Sequence, residues 1–551
     1  MKNLDKKYCL IIGLWFLANL LQAFFTGLHS DESYYWMYSQ NLSWGYFDHP
    51  PMVAFFIYMG NSILPGEIGV RLIFIIISTL TFALILNELN EKNDLLFATL
   101  FILSFPLIHT HIAGFMAIPD IPLLFFTTLF ILAYKKFLEK PDWKISMLIA
   151  ILLAAMIYSK YHAFLIIGFT ILSNLNLFKS KYFYGIMFLT CLLLVPHVLW
   201  QTHHEFPTFK YHLLERSKPF QLNYVLPYIG GQLAIAGPVT GFFIFWKLIK
   251  LKVKNQYHRT LIFNIAGFYA ALFFMSFKNR IEAHWIAAII PMLIILTYPS
   301  ISNDVRVKLW FKRIAFPVIV LIFLYRIYIA LDVMPNIGNL KITFYKREAA
   351  ALEVKKKAQG MKVGFFDNYA ATSNYIFYTG DSAVHLSSPT YRFCQYDLWD
   401  DEKYADGEAL FTVSPRNDNS PNQLKTVTGQ LRVFDKIENY QSLTGLKIEI
   451  NNVETLADSI KFTFSLINNK DIPFFVNHIS EPALAFIQEK KEVIVIPLSE
   501  ITDAQQILPG ENILIYVSVE KNRFLKNHPL NICTRTKENY RGDVISLKTD
   551  F

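Results

Sequence analysis

Charge is what this sequence is short of. Only 17% of its 551 residues are Asp, Glu, Lys or Arg, against roughly 25% in ordinary soluble domains. Because 53% are hydrophobic, the shortage excludes an intrinsically disordered chain, which stays open by being polar and charged. Cysteine is also scarce, at four, which excludes a disulfide-rich secreted scaffold. No glycine-rich phosphate loop follows a strand pattern, and the front half lacks strand–helix alternation. A Rossmann-type nucleotide-binding enzyme is therefore excluded too. No solenoid repeat or low-complexity segment is present.

What is present is apolar and unevenly spread. Phe alone occurs 49 times, and the mean hydropathy is +0.31. Residues 1–331 carry 27 Lys/Arg and 15 Asp/Glu, a balance of +12, and residues 332–551 carry 25 and 28, a balance of −3. A single soluble globule does not divide in this way. The positive excess lies beside long apolar runs, where membrane orientation explains it better than a nucleic-acid partner does.

A helix needs about 20 apolar residues to cross the hydrocarbon layer. Eleven segments qualify as candidate spans, near 8–27, 68–86, 95–113, 120–134, 145–158, 161–177, 182–200, 226–246, 260–277, 284–300 and 314–331. The first has the basic start of a signal peptide, Lys2, Lys6 and Lys7, but no small-residue cleavage site follows, so it reads as a retained anchor. With the N-terminus in the cytoplasm, 19 of the 27 front-half Lys and Arg fall on cytoplasmic segments, which favours that orientation. An odd number of spans then places the back half outside, on the periplasmic face of an inner membrane.

The back half opens with a helical pattern from Arg347 to Ala358, a strand at Lys362–Phe366, a helix near Asn368–Tyr378 and a strand at Ser382–Leu386. From about Leu431 apolar and polar residues alternate, as in Leu446–Ile450, Ile460–Leu466, Val493–Pro497 and Ile513–Val519, which suggests a β-sandwich-like end. The expected fold class is a polytopic α-helical membrane domain (1–331), an extracytoplasmic α/β region (332–430) and a β-rich domain (431–551). Cys9 and Cys191 fall in spans and read as apolar packing. Cys394 and Cys533 lie in the exported half, where they can pair or remain separate buried thiols.

The few front-half charges on the non-cytoplasmic side are informative because ionisable groups at a bilayer are costly. Among them are Asp31-Glu32, Asp48-His49 before Pro50-Pro51, Asp120 after Pro119, Lys160, Lys278, Arg280, Glu282 and His284. Each alone has a bland reading. Asp31-Glu32 can be a solvated interfacial pair, Asp120 a helix cap, and Asp48-His49-Pro50-Pro51 a rigid turn. Their convergence on one face is what marks a site.

The runs Asp31-Glu32-Ser33-Tyr34-Tyr35-Trp36 and Gly45-Tyr46-Phe47-Asp48-His49-Pro50-Pro51 resemble the first outer loop of bacterial GT-C membrane glycosyltransferases. These are the dolichyl-phosphate-mannose–protein mannosyltransferase-like enzymes, with ArnT-like and RgtA/B/C/D-like branches. Pro119-Asp120, Ser159-Lys160-Tyr161, Pro196 with Trp200-Gln201, Gly237-Pro238, His284-Trp285 and Gln395-Tyr396-Asp397-Leu398-Trp399 follow in the same order, so the resemblance covers about residues 1–400. It implies a GT-C fold, a polyprenyl-phosphate-linked sugar as donor, and a lipid, glycan or protein acceptor at the outer membrane face, usually with inversion. Asp31 is then the candidate base, with Glu32 orienting it and Asp120 gripping the acceptor or positioning Asp31. His49, Lys160, Arg280 and His284 are candidates for the donor phosphate.

The ArnT-like branch tends to have Glu-Lys where this chain has Asp48-His49. A histidine there would hold phosphate weakly and with pH dependence. Asp48 with His284 is a candidate pair for a divalent ion, though two ligands fall short of a metal-site pattern, and no cofactor is otherwise implied. In the back half Tyr391, Tyr396, Trp399 and Asp400 with Asp401 are candidates for an acceptor surface, or simply core and rim. The β-rich end carries no chemical signal. The alternative functions are a transporter or lipid flippase, which would show repeats and mid-membrane breaks, and a non-catalytic envelope assembly factor.

Overall fold

The computed structural model describes residues 6–89, 94–109, 114–212, 220–237, 239–331, 344, 346–399, 401–414, 422–489, 491–526, 528–537 and 541–547. The chain forms two compact units, Met1–Tyr345 and Lys346–Phe551.

The first unit is helical. In chain order its helices are α1 (Lys6–Phe25), α2 (Ser30–Gln40), α3 (Met52–Ile63), α4 (Gly66–Leu89), α5 (Leu95–Leu103), α6 (Pro106–His109), α7 (Asp120–Glu139), α8 (Trp143–Ser159), α9 (Ala163–Ser173), α10 (Lys181–His203), α11 (Pro207–Lys210), α12 (Val225–Ile235), α13 (Thr240–Ile249), α14 (Gln256–Met275), α15 (Ile290–Ser302) and α16 (Val305–Ala330). A 3₁₀ segment, Ala283–Ile289, runs into α15. This is a multi-pass membrane protein. Among the described residues six helices are long and apolar enough to cross a bilayer: α1, α4, α7, α10, the stretch Ala283–Ser302 and α16. The bent pair α12–α13 makes a seventh if it counts as one span.

The other expected spans do not form single helices that are both long and apolar enough among the described residues. Segment 95–113 is broken: α5 has 9 residues, about 14 Å of helix, and the chain restarts at Pro106, whose ring displaces the residue before it from helical geometry. Residues 110–113 of that segment lie outside the described ones. Segments 145–158 and 161–177 become α8 and α9, helices of 17 and 11 residues, separated at Lys160, which is extended. Segment 226–246 bends by 100° between α12 and α13. Segment 260–277 becomes α14, whose first turns carry Gln256, His258 and Arg259; it is not among the six. Cys9 on α1 and Cys191 on α10 are exposed.

The second unit opens with α17 (Arg347–Ala358), β1 (Lys362–Phe366), α18 (Tyr369–Thr379) and β2 (Ala383–Leu386), followed by β3 (Leu410–Ser414), β4 (Gln423–Lys425) and β5 (Leu431–Ile437). These strands form one mixed sheet in the order β2-β1-β3-β5-β4, with β1 parallel to both β2 and β3. The sheet therefore runs past residue 430 to Ile437. Gly380, at φ 71°, ends α18 in the left-handed conformation that a glycine takes without strain.

The rest is β6 (Leu446–Thr455), β7 (Ser459–Asn468), β8 (Phe474–Phe475), β9 (Ala483–Gln488), β10 (Lys491–Pro497), β11 (Gln506–Ile507), β12 (Asn512–Glu520), β13 (Leu530–Arg535) and β14 (Arg541–Leu547). Sheets β12-β7-β6 and β10-β9-β13-β14 share a core that includes Phe462, Phe464, Phe486, Ile515 and Ile532. Alternating burial along β12 is the period-two pattern realised. Cys394 and Cys533 are both buried free thiols, so the disulfide is not formed.

Candidate functional site

The turn into α2 brings two neighbouring acids to different ends. His29 is the N-cap: its Nδ1 accepts the Asp31 backbone N–H at 3.2 Å, and its own N–H donates to Glu32 Oε2 at 2.8 Å. Carboxylates are favoured at this positive helix end. Asp31 remains open, its side chain 42% exposed and 3.6 Å from His29 Nδ1. Glu32 is fully buried. Arg71, from α4, donates to both of its oxygens, with Nε at 2.7 Å, and the Ala117 N–H adds a bond at 2.8 Å. Arg71 also holds the carbonyls of Ala23, Thr26 and Gly27. Burial works to raise the Glu32 pKa, but the Arg71 charge and these hydrogen bonds overcome it and hold the carboxyl below its ordinary range. Glu32 is thus a spent acceptor that ties the ends of α1 and α2 to α4 and to the segment before α7. Its recorded bonds run to Arg71, Ala117 and His29, not to the Asp31 carboxylate.

Asp48 and His49 close the same loop. Tyr38 stacks on Tyr46 at 4.2 Å and donates to Asp48 Oδ1 at 2.7 Å. The Tyr46 N–H bonds the His49 carbonyl at 3.1 Å, and His49 meets Tyr35 edge-on at 5.3 Å. Asp48, Lys160, Asp120 and Asp31 all lie within electrostatic reach of His49. Burial lowers the His49 pKa against the pull of the three acids, and Lys160 pushes the same way, so the neutral ring is favoured.

Asp120 follows Pro119, which is the N-cap of α7 and makes no side-chain cap bond. Capping is therefore not how the carboxylate is used: both oxygens accept from Lys160 Nζ at 2.8 Å, and the two residues are 5% and 7% exposed. Lys160 reaches Asp120 because the chain is extended between α8 and α9. Its Nζ lies 5.8 Å from the centre of the Trp285 ring. His162 and His284 are within electrostatic reach of Asp120, and His162 packs edge-on against Trp285 at 5.1 Å.

Asp31, Asp48, His49, Asp120, Lys160 and His284 are thus brought together. Arg280 is not: it is 77% exposed and pairs with Glu282 at 3.2 Å. No group of three or more His, Cys, Asp or Glu among the described residues is arranged to hold a metal ion, so Asp48 and His284 gain no third ligand there. Sequence reasoning missed Arg71, Tyr38 and His162. Arg71 did leave a signal, a lone cation inside an apolar run; His162 sits beside Lys160 in the sequence. In the second unit Tyr396 is buried and bonded to Ser373 at 2.8 Å, Trp399 packs on it at 5.5 Å, and Tyr391 stands 5.7 Å from His385. Asp400 lies outside the described residues.

Residues 48–200 match the family model for dolichyl-phosphate-mannose–protein mannosyltransferase, the family that the loop motifs resemble. The matched stretch contains Asp48, His49, Asp120 and Lys160. The fold is similar to that of ArnT from Cupriavidus metallidurans in the apo state, with a TM-score of 0.53 and 13% identity over 77% of this chain and 97% of that one. It is equally similar to ArnT from the same organism bound to undecaprenyl phosphate, with a TM-score of 0.52, 14% identity and the same coverage. No curated protein matches the sequence.

Proposed function

We propose that the chain is a membrane glycosyltransferase that moves a sugar from a polyprenyl-phosphate carrier to a hydroxyl of a lipid, glycan or protein at the outer face of the cytoplasmic membrane. The observation that carries this reading is the pairing of one open carboxylate, Asp31, with a buried cluster of Asp48, His49, Asp120 and Lys160 within electrostatic reach. The family match over residues 48–200 and the ArnT-like fold support it.

In this reading Asp31 takes the proton from the acceptor hydroxyl. The acceptor oxygen attacks the sugar's anomeric carbon as the bond from that carbon to the carrier phosphate breaks, with inversion. The leaving group is the polyprenyl phosphate, whose growing negative charge Lys160 stabilises by charge-assisted hydrogen bonding. His49 and His284 serve the same phosphate through ring N–H groups. Asp120 holds Lys160 in place, and Glu32 with Arg71 fixes the backbone that presents Asp31. In this reading all eleven segments cross the membrane, several as short or broken helices, so with the N-terminus cytoplasmic the second unit is outside.

Replacing Asp31 by Asn keeps the size and removes the basicity. Transfer of sugar from a polyprenyl-phosphate donor should fall about 10²–10⁴-fold, the usual worth of a general base, with protein levels unchanged. Undiminished transfer would remove Asp31 from the mechanism. Mass spectrometry of envelope glycolipids and glycoproteins from a deletion strain should show the loss of one defined sugar, which identifies both sugar and acceptor.

A further inference from the structure

Arg326 lies near the C-terminal end of α16 and is 3% exposed. Its Nε donates to Gln22 Oε1 at 3.1 Å, and its Nη2 to the Ala18 carbonyl at 3.2 Å and to Asn19 Oδ1 at 2.9 Å. Among the described residues its Nη1 has no hydrogen-bond partner, and neither do two other buried donors on α1, Trp15 Nε1 and Asn19 Nδ2. The three groups share one neighbourhood. The guanidinium lies 5.6 Å from the Trp15 ring and 5.8 Å from that of Phe323. His109 closes the wall, 5.2 Å from Trp15 and 5.3 Å from Phe323. Its Nε2 is spent on the Leu103 carbonyl at 2.6 Å.

Positions 15, 19, 22 and 26 form a stripe along one face of α1. Gln22 Nε2 bonds Thr26 Oγ1 at 2.8 Å, and the Thr26 carbonyl accepts from Arg71. A buried polar column thus runs from Trp15 to the Glu32 clamp. Its charges do not cancel. Arg71 and Arg326 lie 5.3 and 6.0 Å from the same Phe115 ring, and Glu32 is the carboxylate in the column, already held by Arg71. Carbonyls and ring faces solvate a guanidinium in part. A surplus positive charge among hydrocarbon remains expensive, and an unmade hydrogen bond at a buried donor adds to that cost.

We propose that Trp15, Asn19 and Arg326 form a site inside the helix bundle for one small monovalent anion of halide size. Three N–H donors and a surplus cation select an anion, which neutralises the column and links α1 to α16. The site stands apart from the proposed sugar transfer, so it is testable without activity.

The probe is bromide, titrated against gluconate at constant ionic strength, with thermal unfolding of the full-length protein in detergent micelles as the readout. Ligand that binds only the folded state raises the melting temperature. Bromide should raise it saturably and gluconate should not. The bromide response should vanish in Arg326→Gln, and its midpoint should shift at least about tenfold, the worth of one lost hydrogen bond to a charged group, in Trp15→Phe, which keeps a ring and loses only the N–H. Anomalous diffraction at the bromine edge should give a peak beside Arg326. Identical curves in bromide and gluconate, as a bound water alone would give, overturn the proposal, and so does an undiminished bromide response in either variant. Should Arg326→Gln fail to accumulate, Trp15→Phe and the anomalous map decide.

Discussion

Asp31 and Glu32 are adjacent and chemically alike, yet one stays open and the other is sealed against Arg71, 39 residues further along. The sequence shows the pair but not the division, because the division is made by a long-range partner. Asp120 and Lys160 present the same lesson 40 residues apart. Breaking such a buried pair from one side strands a charge, which costs about 3–5 kcal/mol, whereas removing both charges costs much less. Lys160→Met should therefore destabilise the protein more than Lys160→Met with Asp120→Asn does. Reversible unfolding in mixed micelles measures the difference, and equal losses would mean that the pair is not coupled. In the second unit, burial pushes the Glu402 carboxyl up to about 7, while the hydroxyls of Thr444 and Ser442 pull the other way. A raised carboxyl pKa means that the folded state binds more protons than the unfolded one between about pH 4.5 and 7, so stability falls as pH rises through that window and levels off above it. Hydrogen exchange over residues 440–446, corrected for intrinsic rates, should show protection falling from pH 5 to pH 7.5. Glu402→Gln should be flat over the same range; a parallel fall in the variant would assign the effect to another group.

At the scale of elements, the apolar runs were legible and their breaks were not. Long uninterrupted runs became α1, α4, α7, α10 and α16 close to where hydropathy placed them. The interruptions share a cause: composition measures how oily a segment is, whereas Pro106, the extended residue Lys160 and the 100° bend between α12 and α13 set how far a helix runs. The second unit was easier to read, because β1, α17 and α18 are bounded by local signals such as Gly360 and Gly380. The β5 strand joins the first sheet through a pairing with β3 that is non-local and leaves no local signal. One element contact bears directly on the site. The α3 helix leaves the Asp48-His49 turn and packs on α4, which carries Arg71. At their crossing, a Cβ added to Gly60 would overlap the Gly69 carbonyl, and one added to Gly69 would overlap the Leu64 carbonyl. Small residues are what allow helices to approach this closely in a membrane. Gly69→Ala should force the pair apart at a cost of about 1–3 kcal/mol, as overpacking does, and lower transfer by moving the His49 turn. Control substitution Gly13→Ala, on α1 where nothing lies within 4 Å, should leave both unchanged. If the two variants melt at the same temperature, the close approach does not matter to the fold.

For the whole molecule, the sparse charges do two separate jobs. Most front-half Lys and Arg gather on the loops that the positive-inside rule assigns to the cytoplasm, for instance Lys135, Lys136 and Lys140 around the end of α7. Three of the remainder, Arg71, Lys160 and Arg326, are buried and held by specific partners. The +12 of the front half is therefore a mixture of an address and a mechanism, and only the address was readable by counting. The proposed sidedness of Asp31 and the second unit rests on that address, and it is open to direct test. Cys9 and Cys191 are exposed and Cys394 and Cys533 buried, so a background with Cys9 and Cys191 changed to Ala leaves few reactive thiols. In that background Lys140→Cys, exposed at the end of α7, and Asp503→Cys, exposed in the second unit, report on the two sides. A membrane-impermeant maleimide added to spheroplasts should label Asp503→Cys at once and Lys140→Cys only after the membrane is permeabilised. The reverse pattern would place Asp31 on the cytoplasmic face. It would overturn the proposal of an outer-face acceptor while leaving the buried pairs and their energetics intact.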